Sequence, residues 1–306
     1  MSAPTVAFLG CGRITRAIVT GLVASGLPAQ RLYGVSRHGR SALALAADTG
    51  LTPASDIAGA VRPADLVAVA VHPHEAADVL AGLRPLLRPG QLLVSLVASW
   101  PAAAVARAVG DAVPVVRAVP NVAAAVQAGA TVLSAGPGAG QAELERVSGL
   151  FERLGRVLVA ADEHMEAVSA LSGAGPALLA RFAQALAQAA AGLGLPQRLA
   201  EDLARHAVHG TGVLHARPGA SLAGTVAAVS SPGGMTEQAL ATLDRHGLAP
   251  ATTAALRAAV ALSLTRTPNP GPYGDSGTGP GPGAARDTAP GPGPDTAPGA
   301  DPSPRP

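Results

Sequence analysis

The chemistry this chain could do is concentrated in four short stretches. The first is Leu9-Gly10-Cys11-Gly12-Arg13-Ile14, between the apolar run Val6–Leu9 and an amphipathic segment that starts at Ile14. A buried strand that runs through two glycines into a helix presents backbone N–H groups to a phosphate. Gly10 permits the tight turn, and Gly12 lets the backbone approach a pyrophosphate at the helix N-terminus. Ala17 takes the place of a third glycine and is small enough for close helix–strand packing. A Gly-x-Gly alone also marks ordinary strand–helix turns. Directly after an N-terminal strand it points to a dinucleotide site, provided the chain continues in strand–helix–strand units.

The second stretch is Ser36-Arg37, at the end of the next strand-like run, with Arg40 nearby. An NAD site of this class places a carboxylate roughly 20 residues past the glycine turn, to accept from the ribose hydroxyl. No carboxylate stands here. A hydroxyl and a guanidinium fork suit a 2′-phosphate instead, so the expected cofactor is NADPH, with NADH the second choice. A surface loop that happens to hold arginines is the plain alternative.

The third is Val71-His72-Pro73-His74, after the apolar run Leu66–Val71. The carboxyl end of a central strand faces the ligand crevice of an open sheet, which makes His72 a candidate cofactor contact. With proline between them, His72 and His74 are expected to point apart. No third ligand is nearby, so no metal is expected. Trp100, the one tryptophan, follows the run Leu92–Val97 and either walls this crevice or simply packs.

The fourth is Ser230-Ser231-Pro232-Gly233-Gly234-Met235-Thr236, leading into a helix over Glu237–His246. Unpaired amides and the helix dipole make such a turn a seat for a carboxylate, and Thr236 could hydrogen-bond the same ligand. The bland alternative is an ordinary N-cap on Ser230 or Ser231.

These stretches need elements to position them. From Val6 to Val159 the chain alternates apolar runs (Val6–Leu9, Leu32–Val35, Leu66–Val71, Leu92–Val97, Val115–Val119, Thr131–Leu133, Val157–Val159) with segments of helical character. Those segments are Ile14–Ser25, Ser41–Thr49, Pro73–Leu87, Pro101–Val109 and Gln141–Leu154. Short Val- and Leu-rich strands alternating with helices predict an α/β, mostly parallel, doubly wound sheet of Rossmann type. After Asp162 the strand signal stops, and an all-α region follows. Leu178, Leu179, Phe182, Leu186 and Leu193 recur at helical spacing, as do Leu199, Leu203, Ala207 and Leu214. Leu171-Ser172-Gly173-Ala174-Gly175-Pro176 breaks one long apolar segment, either as a kink or as a ligand wall. So much apolar helix exceeds what one small domain can cover, so self-association as a dimer or higher homo-oligomer is expected. The domains expected are 1–161 (NADP-binding), 162–266 (helical, dimerisation and substrate) and 267–306. The last is Pro/Gly-rich, repeats Asp-Thr-Ala-Pro-Gly at 287–291 and 295–299, and is expected to be disordered.

Composition excludes several classes. The 306 residues contain no lysine, so all 22 basic residues are arginine, and mechanisms that need a lysine are out. A net charge of +2 without a basic block argues against nucleic acid. No unbroken apolar stretch of about 18 residues argues against a membrane. One cysteine, Cys11, excludes an intrachain disulfide and fits a reducing compartment, so the expected location is cytoplasmic.

In order, Gly10-x-Gly12-x₄-Ala17, Ser36-Arg37, Ala70-Val71-His72-Pro73, Arg117-x-x-Pro120-Asn121, Leu171-Ser172-Gly173-x-Gly175-Pro176 and Ser231-Pro232-Gly233-Gly234-x-Thr236 resemble the pyrroline-5-carboxylate reductase family. The resemblance covers residues from about 5 to 264. It implies a Rossmann domain, a helical dimerisation domain, and reduction of the cyclic imino acid 1-pyrroline-5-carboxylate to proline. By position, it implies that Cys11, Arg13 and Ile14 line the pyrophosphate turn beside Gly10 and Gly12. Ser36, with Arg37, meets the adenosine ribose or its phosphate, and Ala70, Val71, His72, Pro73 and Ala98 flank the nicotinamide. Ser231, Gly233, Gly234 and Met235 form the carboxylate seat, and Thr236, the catalytic candidate, bonds the ring nitrogen. Asp162 falls where some members place an acidic substrate contact. The chain departs from the family pattern at His72 (commonly Lys), at Asn121-Val122-Ala123 (Asn-Thr-Pro) and at Val97-Ala98-Ser99 before Trp100 (Ala-Ala-Gly). A reductase for another cyclic imine and a nucleotide-binding paralogue without turnover are the rival readings. A β-hydroxyacid dehydrogenase is disfavoured, because its catalytic lysine is missing.

Overall fold

Runs of Val, Leu and Ala without polar alternation form strands buried on both faces. The computed structural model describes residues 3–110 and 113–266. The strands are β1 (Val6–Leu9), β2 (Leu32–Val35), β3 (Thr52–Pro53), β4 (Leu66–Val69), β5 (Leu92–Ser95), β6 (Val115–Pro120), β7 (Gly129–Ala135) and β8 (Gly155–Val159). They form one sheet in the order β3-β2-β1-β4-β5-β6-β7-β8. β1 to β6 are parallel, β7 runs antiparallel to β6, and β8 is parallel to β7. The expected doubly wound, mostly parallel sheet is therefore what forms.

Helices α1 (Arg13–Ala24), α2 (Arg40–Thr49), α3 (Ile57–Val61), α4 (Pro73–Leu83), α5 (Ala102–Val109) and α6 (Gln141–Phe151) cover the sheet. The two-residue period of β1 divides the core: Val6 and Phe8 join Ile18, Leu22 and Phe151, while Ala7 and Leu9 join Leu80, Trp100 and Val105. Two strands end earlier than their apolar runs. β4 stops at Val69 and β5 at Ser95; the amides of Ala70 and Leu96 make one last bond each, to Leu9 O and Val69 O, and the chain then leaves the sheet. Residues 70–73 and 96–101 thereby become loops at the carboxyl edge. β3 and α3 are additions to the expected elements. Two residues show no alternation, and Pro53 is tolerated because β3 lies at the sheet edge.

Beyond β8 the described chain is helical: a 3-10 turn at Asp162–His164, α7 (Met165–Val168), a π turn at Ser169–Gly173, then α8 (Ala174–Gly192) and α9 (Gln197–His215). α10 (Leu222–Val229), α11 (Met235–Arg245) and α12 (Leu248–Thr265) complete it. The expected break at Leu171–Pro176 is a π widening rather than an interruption. It puts Pro176 in the first turn of α8, where a missing N–H costs least. α8 and α9 pack through alanines, with Ala187, Ala200 and Ala204 buried. The larger side chains of the stripe face outward: Leu179 is 59% exposed and Leu203 54%. α12 is long and apolar enough to cross a membrane by length and composition, with a mean hydropathy of 1.3. It escapes a search for unbroken apolar runs because Thr252, Thr253 and Arg257 interrupt it. The tail expected to be disordered, 267–306, lies outside the described residues.

Candidate functional site

The sheet order reverses at β1, whose neighbours are β2 and β4, and the crevice of an open α/β sheet forms at the carboxyl ends of the strands there. The first turn is built around two glycines with different reasons to be there. Gly10 has φ +100°, and a Cβ on it would stand 2.4 Å from Ala70 O, so the fold itself demands glycine. Gly12 is the N-cap of α1 at an ordinary φ of −80°, with no side-chain cap bond. A Cβ on Gly12 would meet nothing within 4 Å. That open space, facing the first-turn amides of α1, is a cradle which a methyl group would enter. It fits a pyrophosphate, since unpaired amides and the dipole attract an anion at that point.

Around this turn, Arg13 is exposed and Ile14 half-buried. Cys11 points inward, its Sγ 3.6 Å from Val35 O, so only its backbone can face the cradle. Burial pushes its thiol up to about 11, against a smaller opposing effect of Arg16. Ser36 Oγ accepts from the Ala42 amide in the first turn of α2 at 3.2 Å, which leaves its proton to donate. Arg37 is exposed and reaches Glu75 on α4 at 3.4 Å.

On the other side of β1, Ala70 to Pro73 run from β4 into α4, with His72 as N-cap and Pro73 at the first helical position. His72 and His74 do not diverge. Their rings stack with centroids 5.7 Å apart and an interplanar angle of 11°. The expectation failed because His72 takes an extended cap conformation (ψ 148°), which lays its ring beside the first turn. Among the described residues no group of three His, Cys, Asp or Glu could hold a metal ion. Ala98 is exposed in the loop after β5, whereas Trp100 packs into the core with Val97 and Ala102.

The Ser231–Thr236 turn belongs to the helical half. α11 starts at Met235, earlier than expected, and its N-cap is Gly234 without a side-chain bond. The serine cap is thus overturned: the Gly234 amide closes on Ser231 O at 2.9 Å, and the serine hydroxyl does not take the cap position. Gly233, at φ +71°, donates its amide to Glu237 Oε2 at 2.7 Å, so a carboxylate already docks on this turn. Met235 is fully outward and Thr236 half-buried.

Asp162 sits elsewhere, between two halves of the fold. Its Oδ2 accepts from the Ala102 amide at the start of α5 (2.9 Å), and its Oδ1 pairs with Arg117 Nη1 (3.3 Å). Arg117 is buried in β6 and also donates to Glu166 at 2.6 Å; Glu166 in turn accepts from Ser263. Sequence reasoning singled out Arg117 only as part of a motif and missed Glu166 and Ser263. A signal existed. An arginine inside Val115-Val116-Arg117-Ala118-Val119 must be buried, and a buried guanidinium needs carboxylate partners.

Comparison with known proteins agrees with this layout. Residues 162–265 match the family model described as pyrroline-5-carboxylate reductase dimerisation, and residues 5–99 match that of NADP oxidoreductase, coenzyme F420-dependent. A pyrroline-5-carboxylate reductase of Pseudomonas aeruginosa is 32% identical over 260 residues, covering 85% of this chain and 95% of its own. The chain belongs to the pyrroline-5-carboxylate reductase family. The solved structure of the Coxiella burnetii pyrroline-5-carboxylate reductase superposes with a TM-score of 0.80 at 30% identity, over 88% of this chain and 100% of that one. The Plasmodium falciparum pyrroline carboxylate reductase, solved with NADP bound, shares the fold at a TM-score of 0.77 and 22% identity, over 88% of this chain and all of that one. The resemblance carried by the six motifs is borne out at the level of the family.

Proposed function

We propose that the protein reduces 1-pyrroline-5-carboxylate to L-proline, with NADPH as the hydride source. The observation that carries this reading is the open cradle at Gly12, a glycine the fold does not need and a pyrophosphate does. Ser36 and Arg37 are assigned to the adenosine 2′-phosphate, which favours NADPH over NADH. Gly10 to Ile14 hold the pyrophosphate through backbone amides. Ala70 to Pro73 and Ala98 flank the nicotinamide, which supplies the hydride when NADPH is bound.

The Ser231–Met235 turn takes the substrate carboxylate, as it now takes that of Glu237. Thr236 bonds the ring nitrogen as it becomes an amine. A protonated cyclic imine is already electrophilic at carbon, so the residues need only hold it in place and exclude water. Asp162 is assigned to positioning α5 rather than to substrate, because both its oxygens are engaged.

In the same reading the boundary between domains falls at 161/162, and the outward apolar faces of the helical half are covered by a second copy. One such face is a depression of about 410 Å³ on α12, lined by Thr253, Leu256, Arg257, Val260, Ala261 and Leu264. Light scattering on the purified full chain checks this assembly, and a monomer at assay concentration would refute it. The single cysteine fits a cytoplasmic location, which cell fractionation checks; recovery in another compartment would refute it.

The activity is tested by NADPH oxidation on adding 1-pyrroline-5-carboxylate. Turnover is expected, with Thr236→Ala lowering kcat about two- to tenfold through the lost hydrogen bond. No turnover with either nicotinamide cofactor would end this reading.

A further inference from the structure

Ser99 adopts φ +65°, in the left-handed region where a Cβ is disfavoured. A non-glycine residue stays there only when its surroundings over-determine it, and such outliers gather at functional sites. Glycine at this position could take the same φ unaided; the serine has to be held, and its hydroxyl shows by what.

Ser99 Oγ lies 2.8 Å from Ser263 Oγ near the C-terminal end of α12, a separation of 164 residues along the chain. Ser263 donates to Glu166 Oε2 on the short helix α7, and Glu166 Oε1 accepts from the buried Arg117 at 2.6 Å. An ionised carboxylate only accepts. Ser263 therefore gives its proton to Glu166, and Ser99 donates to Ser263. Every bond in the chain has one direction. The far end of the same loop is fastened by the Ala102 amide, which donates to Asp162, itself paired with Arg117. The two fastenings meet on one guanidinium, and Ala98, which directly precedes the first of them, is exposed.

We propose that Ser263 is a positioning residue for the cofactor: taking Ala98 as part of the nicotinamide flank, as in the reading above, the Ser99–Ser263–Glu166 chain holds the loop that carries it and ties the end of α12 to NADPH affinity. The coupling runs through hydroxyls rather than apolar packing, so one oxygen atom suffices to break it. Losing Ser263 Oγ releases Ser99 and removes one acceptor bond from Glu166, while Arg117 stays paired.

Trp100 makes this measurable. It is the one tryptophan of the chain, it is buried, and it follows Ser99 directly. In the full-length protein, Ser263→Ala is expected to shift the Trp100 emission of the free enzyme. It should also raise the KM for NADPH about three- to tenfold, the worth of a hydrogen bond or two, with the imine KM within about twofold of wild type. Ser263→Thr keeps the oxygen and should restore both signals. Ser99→Ala should reproduce the alanine phenotype, and the double variant should be no worse than either single one, because both cut the same bond.

Unchanged Trp100 emission in Ser263→Ala would overturn the proposal, as would an emission shift with unchanged NADPH affinity, or Ser263→Thr as impaired as Ser263→Ala. Failure of the underlying reading looks different. There, wild-type protein shows no change of Trp100 emission and no binding on titration with NADPH, whatever stands at position 263.

Discussion

Replacing each glycine of the first turn by alanine separates what the fold requires from what a ligand requires. At position 10 the alanine enters a φ of +100° and sets its methyl 2.4 Å from the Ala70 carbonyl oxygen, a backbone atom that no side-chain rotation can move aside. The left-handed conformation alone costs about 1–2 kcal/mol, and relieving the clash means moving β1 away from the loop after β4. A loss of at least about 2 kcal/mol follows, which for a domain of this size lowers Tm by at least about 4 °C. At position 12 the alanine keeps an ordinary φ of −80° and touches nothing within 4 Å. Its poorer capping costs about 1 kcal/mol at most, and the stiffer unfolded chain returns about 0.4–1 kcal/mol, so Tm should move by no more than about 3 °C.

The cofactor sees the opposite order. The new methyl at position 12 occupies the cradle and holds a phosphate away from the α1 amides. Losing one charge-assisted hydrogen bond costs about 1.5–3 kcal/mol, or roughly ten- to 150-fold in Kd. Thermal melting and NADPH titration of both variants suffice. Gly12→Ala should melt like wild type and bind NADPH weakly, whereas Gly10→Ala should melt early. The reasoning is refuted if Gly12→Ala binds NADPH within about twofold of wild type, or if it unfolds as early as Gly10→Ala.

Two further outcomes concern buried charge. Arg117→Met leaves Asp162 and Glu166 facing each other without a cation; because both carboxylates keep some exposure (27% and 16%), the low end of the usual penalty applies, about 3 kcal/mol in urea unfolding, and an unchanged midpoint would show the ion pairs to be peripheral. Cys11 carries its thiol up from 9.0 to about 11 through burial, so the folded state holds the proton more tightly than the unfolded chain. Its contribution is complete below about 9 and fades as pH rises through about 11, on the order of 3 kcal/mol in all. Cys11→Ala should flatten that part of the stability–pH curve, and an identical curve for both proteins would contradict it.

Much of this was legible in the sequence, for reasons that differ between residues. Strands such as Val6–Leu9 and Leu66–Val69 announce themselves because both faces are buried and every position is apolar. The Gly10–Gly12 turn and the Ser231–Thr236 turn show in the sequence as short runs of characteristic residues, so spacing suffices to find them, although what packs against Gly10 comes from as far away as Ala70. Boundaries were less secure. Leu66–Val71 and Leu92–Val97 stay apolar past the last ladder bond, and hydrophobicity cannot say where a chain leaves a sheet. The His72–His74 stack and the Gly234 cap were misread because both depend on backbone angles that composition does not encode.

The Arg117 group was missed for a stronger reason. Its partners lie 45, 49 and, through Glu166, almost 150 positions away, and no window along the chain contains them together. Yet their existence followed from one residue. An arginine in the middle of a strand whose neighbours are Val116 and Ala118 cannot keep its charge in an apolar interior, so carboxylates must come to it. Only the fold decides which ones, and by choosing Asp162 and Glu166 it fixes the start of the helical half against β6 and α5. That pairing ties both halves of the chain to one loop: the loop after β5 is held through Asp162 by the same guanidinium that anchors α7, and α12 reaches that loop through Ser263. The glycine turn can be read without the helices, but the geometry of the loop after β5 cannot, because the residues that set it come from both halves of the chain.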